Sequence, residues 1–124
     1  KVEYLKNNFL ITDAAMNDLL RPALYKANHQ VVPLLEQNSS HNKVDVVGPV
    51  CESGDYLAKE AKLEIKEDEF LAIRTAGAYG FVMSSNYNSR PRACEILVEG
   101  DDFRLIRQRE SHNDLFQHEI DFLE

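Results

Sequence analysis

Residues 93–109, Ala-Cys-Glu-Ile-Leu-Val-Glu-Gly-Asp-Asp-Phe-Arg-Leu-Ile-Arg-Gln-Arg, decide the fold class. Two apolar runs, 93–98 and 103–109, flank Glu99-Gly100-Asp101-Asp102. Strand-forming residues on either side of a Gly-Asp pair predict a β-hairpin, since Gly and Asp accept the backbone angles of a tight reversal. Working outward, 43–50 (KVDVVGPV) alternates in part, is rich in valine, and stops at Gly48-Pro49. Residues 30–35 form a β-branched strand candidate, and 70–75 read as a buried strand. Val2, Tyr4 and Leu5 open the chain inside a further strand, and 9–12 is a short apolar run closed by Asp13. Five to eight short strands punctuated by turns, with two or three short helices, predict a mainly β barrel or sandwich.

The helices are less regular. From 14 to 27, Met16, Leu19, Leu20, Ala23, Leu24 and Ala27 recur at three- and four-residue spacings, but Pro22 interrupts them. A short, broken or late-starting helix is expected. Residues 112–123, with Leu115, Phe116, Ile120 and Leu123 and a cap at Ser111 or Asn113, predict a C-terminal helix. Residues 76–80 (AGAYG) are a small-residue turn leading toward a short helix, 53–56 another turn, and 37–43 and 86–90 polar loops. The charged segment 57–69 is only weakly periodic and receives no element.

A chain of 124 residues suits one domain, and 44% apolar residues exclude a disordered one. With 14 basic against 21 acidic side chains and a net charge of -7, wrapping a nucleic acid is not expected, because a phosphate backbone is held by clustered Lys and Arg. No apolar run approaches the roughly 20 residues that cross a bilayer, and no leader pattern opens the chain, so a cytoplasmic protein without membrane contact is expected. The chain starts at Lys1 inside a strand, as a fragment of something longer would. Cys51 and Cys94 suggest no disulfide framework, and neither has a second cysteine at zinc-ligand spacing.

Three places carry possible chemistry. Cys51 follows a Gly-Pro break, a rim position, although a free cysteine equally serves as a small core residue. Glu52 and Asp55 bring negative charge near it, which disfavours a thiolate and suits a proton donor better than a nucleophile. Arg21 and Tyr25, four apart, share one helix face, where a guanidinium fork and a phenol suit a carboxylate; an exposed arginine beside a packed tyrosine is the plainer alternative. Tyr79 stands between small residues, presented to a ligand or buried in a packing turn. Arg90 and Arg92 around Pro91 are expected to pair with acidic surface.

Taken in order, 13–25 (DAAMNDLLRPALY), 48–55 (GPVCESGD) and 77–92 (GAYGFVMSSNYNSRPR) resemble the C-terminal part of the diaminopimelate decarboxylases, and the likeness runs over nearly the whole chain. The resemblance implies that 1–124 is the β domain of a two-domain pyridoxal-phosphate enzyme. An N-terminal (β/α)₈ barrel, absent here, would carry the lysine that holds the cofactor. It implies a homodimer with shared sites, acting on meso-diaminopimelate to give lysine and CO₂. By this likeness Cys51 matches the proton donor and Glu52 the residue holding the distal ammonium. Arg21 and Tyr25 match the pair on the distal carboxylate, and Tyr79 the tyrosine touching cofactor and substrate. Asp13, Asn17, Asp18 and Asn86 take supporting roles. The isolated chain is expected to be inactive, since Lys26, Lys43, Lys59, Lys62 and Lys66 all sit in polar contexts.

Two other classes fit parts of the sequence. A non-catalytic decarboxylase-like module pairing with an active enzyme has no need of all five site residues. A cysteine hydrolase using Cys51 needs an imidazolium beside the thiol, and the histidines are scattered.

Overall fold

The computed structural model describes residues 2–6, 8–35 and 43–120. The chain divides into two compact units, Lys1–Ser84 and Ser85–Glu124. Both are built mainly from strands, as the hairpin and valine-rich runs imply, and the described helices are short.

In the first unit, β1 (Val2–Lys6) and β2 (Phe9–Thr12) form an antiparallel pair, turned through Asn8 at φ 69°. Asn is among the few residues that accept a left-handed backbone readily. Next comes α1 (Arg21–Tyr25), which starts late because Pro22 fits only the first helical turn, where its missing N–H is not needed. Lys26, left-handed at φ 54°, closes the helix. β3 (Val31–Pro33) pairs antiparallel with β6 (Leu71–Ile73). β4 (Lys43–Val47) lies parallel to β2 and antiparallel to β5 (Tyr56–Lys62), giving a four-stranded sheet in the order β1-β2-β4-β5.

Val44 and Val46 on β4 are buried while Lys43, Asp45 and Val47 are more exposed, the period of two that a half-buried strand requires. They meet Val2, Leu10, Leu19, Leu57, Leu63 and Ile65 in one core, and Val31, Leu71 and Ile73 of the β3–β6 ribbon pack against it. Sheet and ribbon therefore share an interior.

Three expectations need correction. β5 starts at Tyr56, the last residue of the expected turn at 53–56, and runs to Lys62 through the weakly periodic segment that received no element. Register shifts against β4 fall between Val44 and Val46 and between Val46 and Val47, and Glu60 takes φ 51° while its N–H is held by Asp45 Oδ1 at 2.8 Å. These bulges interrupt the alternation that marks a strand in sequence. Second, the strand read over 70–75 shrinks to Leu71–Ile73 and is half-buried, not buried; Phe70 is exposed. Third, the C-terminal helix is a single turn, α2 (Asn113–Phe116); its N-cap position is His112, with no side-chain cap hydrogen bond, not Ser111 or Asn113, and Ser111 N and Oγ donate to Asp114 Oδ2. Phe116 and Ile120 are exposed, so the apolar spacing finds no core to reward a longer helix, and isolated short helices are marginal. Residues 121–124, the far end of that expected helix, and the loop at 37–42 lie outside the described residues.

The second unit holds the hairpin of β7 (Glu95–Glu99) and β8 (Asp102–Arg107). Gly100 at φ 63° occupies the first position of its two-residue loop, where glycine is favoured. Arg104–Glu99 and Arg107–Glu95 ion pairs run across it. Arg92 pairs with Glu110, as expected of an arginine facing an acidic surface.

Candidate functional site

Arg21, at the start of α1, lies 5.7 Å from the ring centroid of Tyr25, one turn on, and 5.6 Å from that of Tyr79. The helical spacing explains the first contact. The second joins side chains far apart in sequence. Tyr79 reaches it from a turn in which Thr75 and Tyr79 both take left-handed φ values near 59°. That turn depends on Gly80: a Cβ there would sit 2.2 Å from the Ala76 carbonyl oxygen. Both tyrosines are more than half exposed and Arg21 is half-buried. Tyr79 is thus presented, and the buried-tyrosine reading falls away.

A guanidinium near two ring faces is attracted by their π electrons and loses freedom to swing. Among the described residues no carboxylate pairs with it. A guanidinium carries planar N–H donors that can hold a carboxylate through two parallel hydrogen bonds.

Cys51 and Glu52 occupy a second place, the turn between β4 and β5. Both are exposed, so the rim reading of Cys51 holds and the core reading does not. Glu52 folds over the turn, its Oε1 accepting from Gly54 N at 3.3 Å, while Glu52 N donates to Val50 O and Asp55 N to Glu52 O. A shallow cavity of about 440 Å³ opens beside it, lined by Glu52, Ser53, Tyr56 and Lys59 among others. The contacts of Arg21 with its two rings do not involve this turn.

What ties the two places together is Asp55, which the sequence presents only as negative charge near the thiol. It is 4% exposed, and its carboxylate turns to the backbone: Oδ2 accepts from Val50 N at 2.7 Å and Oδ1 from Met16 N at 2.7 Å. Val50 immediately precedes Cys51. Met16 belongs to a turn held by Asp18, whose Oδ2 accepts from Ala15 N at 2.9 Å, and that turn runs into α1 with Arg21. One carboxylate therefore pins the cysteine turn to the chain that carries the arginine. Gly48 leaves room for it, since a Cβ there would meet Asp55 Oδ2 at 2.5 Å and Ala15 Cα at 2.7 Å. The available signal was the pairing of glycine and aspartate in one turn-forming stretch, GPVCESGD. The supporting roles expected of Asn17 and Asp18 agree with this, Asn17 being buried and donating to Asp18 Oδ1.

Residues 1–77 match the family described as pyridoxal-dependent decarboxylase, C-terminal sheet domain, and the chain belongs to that family. That match ends before the second unit, which is covered by comparison with individual proteins. The diaminopimelate decarboxylase of Vibrio cholerae is 51% identical over 120 residues, 94% of this chain and 29% of that protein. The enzyme of the same name from Aquifex aeolicus is 44% identical over 126 residues, 98% of this chain and 30% of that protein. Among solved structures, diaminopimelate decarboxylase from Helicobacter pylori, complexed with L-lysine, superposes with a TM-score of 0.87 at 46% identity, covering 95% of this chain and 30% of that one. The chain thus spans about three tenths of the length of these relatives.

Proposed function

We propose that this chain is the β domain of a diaminopimelate decarboxylase, completing a pyridoxal-phosphate site built on an N-terminal (β/α)₈ barrel that lies outside the sequence. The observation that carries the reading is the arginine near two exposed tyrosine rings, 5.7 Å from that of Tyr25 and 5.6 Å from that of Tyr79, with the Cys51–Glu52 turn pinned to the same chain segment. In this reading the shared interior of sheet and ribbon is the core of a barrel or sandwich, and a homodimer in the cytoplasm brings each Cys51 to its partner's site.

The residues present fit one edge of a cofactor site. The exposed Tyr79 ring, steadied by Arg21, offers a flat face and a hydroxyl. Lys26, Lys43, Lys59, Lys62 and Lys66 are all exposed, so the lysine that holds the cofactor is assigned to the barrel. Pyridoxal phosphate, when bound, supplies the electron sink that lets CO₂ depart. This chain's part is to choose the substrate and return a proton. Arg21 and Tyr25 grip the distal carboxylate of meso-diaminopimelate, and Glu52 accepts hydrogen bonds from its distal ammonium. Cys51 Sγ–H delivers the proton to Cα on one face. An analogue without the distal carboxylate leaves Arg21 without its anion, a larger penalty than a missing methylene brings.

The test uses a polypeptide carrying this chain behind its barrel. Cys51→Ala is expected to lower kcat by about 100-fold or more with KM little changed, while Arg21→Ala raises KM for meso-diaminopimelate by a comparable factor. If Arg21→Ala leaves KM where it was, the cluster does not bind the substrate and the reading fails. The hydrolase alternative loses ground on the described geometry: His29, the one buried histidine among those described, hydrogen-bonds the Arg74 carbonyl, not a thiol.

A further inference from the structure

His29 lies between the helix that carries Arg21 and Tyr25 and the strand β3, and it is 7% exposed. Its Nδ1 is 3.2 Å from the carbonyl oxygen of Arg74. A carbonyl only accepts, so Nδ1 carries the hydrogen and donates it. Nε2 is buried and, among the described residues, has no hydrogen-bond partner.

A buried nitrogen without a partner is a destabilising feature, and an unmatched polar atom generally loses more than one hydrogen bond returns. A leucine would fill this space without that penalty. The polar contact that the ring makes runs through its other nitrogen, to the Arg74 carbonyl.

That bond joins two segments. On one side, α1 ends at Tyr25, Lys26 reverses in the left-handed region, and Ala27 N returns to Arg21 O at 3.3 Å just before His29. On the other side, Arg74 ends the β3–β6 ribbon, donating its N–H to Gln30 O at 2.8 Å. Thr75 then takes φ 59° and the chain enters the Ala76–Gly80 turn that presents Tyr79. The exit from the Arg21–Tyr25 helix and the entry to the Tyr79 turn thus meet at one side-chain hydrogen bond.

We infer that His29 is a positioning residue: by donating Nδ1–H to the Arg74 carbonyl it sets the Tyr79 turn against α1 and so holds Arg21 beside both tyrosine rings. The inference rests on the reading of that cluster as the distal-carboxylate site for its effect on substrate, but the positioning itself is measurable without substrate.

The experiment compares His29→Leu, which fills the space and cannot donate, with His29→Asn, whose side-chain amide can donate to the same carbonyl. Both are made in the polypeptide that carries the chain behind its barrel. For His29→Leu we expect Tm unchanged or raised, loss of the nuclear Overhauser contacts between the Arg21 side chain and the Tyr79 ring, KM up about 10-fold and kcat within about threefold. His29→Asn should restore the contacts and bring KM back to within about threefold of the starting protein. The inference is overturned if His29→Leu keeps the Arg21–Tyr79 contacts, if His29→Asn is as impaired as His29→Leu, or if Tm falls and kcat and KM decline together as in a purely structural loss. Should the contacts vanish while KM stays constant, the positioning role stands and the substrate reading of the cluster is what fails.

Discussion

At the residue scale, Asp55 anchors the turn that carries the exposed Cys51 and Glu52. Two backbone N–H groups from different segments converge on one buried carboxylate. Hydrogen bonds to a charged acceptor are stronger than neutral ones, and removing the acceptor leaves both donors unmet. Asp55→Ala is expected to destabilise the chain by about 3 kcal/mol, measured by urea denaturation. The neighbouring Gly48→Ala should destabilise as well, because its new methyl would press on the same carboxylate and on the Ala15 backbone. A Gly48→Ala protein as stable as the original would contradict the assigned pin.

Local chemistry of this kind was only half legible in the sequence. The Arg21–Tyr25 contact follows from helical spacing, and the exposed Cys51 from a strand end marked by Gly48-Pro49. The Arg21–Tyr79 contact does not follow from any spacing. It needs two left-handed residues, Thr75 and Tyr79, that are not the usual occupants of such a backbone. The role of Asp55 was hidden for a related reason: its partners are backbone N–H groups, and sequence shows only side chains.

At the scale of elements, the hairpin β7–β8 was plain because apolar runs and a Gly-Asp loop agree. β5 was not, because its bulges at the level of Val46 and Glu60 break the period of two. α2 shows the opposite error, where helical spacing is present and burial is missing. In the second unit the order of the segment before β7 depends on Glu110. Its carboxylate accepts from Arg92 Nε at 2.6 Å, from the Arg92 backbone N–H at 2.8 Å and from Asn86 Nδ2 at 2.7 Å. The Arg92 side chain first, then its backbone N–H, holds the Glu110 pKa down at about 2. A depressed folded-state pKa stabilises the protein above the unfolded-state value near 4.5, and that contribution is lost as pH falls toward 2. Glu110→Gln should therefore show a shallower loss of stability than the original protein between about pH 5 and pH 2, followed by denaturant melts at stepped pH. Parallel curves would remove Glu110 from this role.

At the scale of the whole molecule, the hairpin leaves Val98, Phe103, Leu105 and Ile106 more than half exposed, and in the first unit Leu34, Leu35 and Val82 are exposed as well. Scattered apolar side chains are normal on a surface, but a two-stranded ribbon with large residues this open gains little from burial by itself. The chain spans about three tenths of the length of the relatives it matches. The net charge of -7 carries the expectation that the chain does not wrap a nucleic acid, and the resemblance of three motif stretches carries the expectation of a barrel beside it; composition alone carries nothing about that barrel. Among the described residues no helix is long and apolar enough to cross a membrane.

The central claim is that this chain completes a decarboxylase site which its barrel cannot complete alone. The most direct measurement mixes the purified chain with a separately produced barrel half loaded with pyridoxal phosphate and follows CO₂ release from meso-diaminopimelate. The account predicts that neither half releases CO₂ alone, that the mixture does, and that Cys51→Ala in this chain silences it. A barrel half equally active without the chain, or a mixture unaffected by Cys51→Ala, would contradict it.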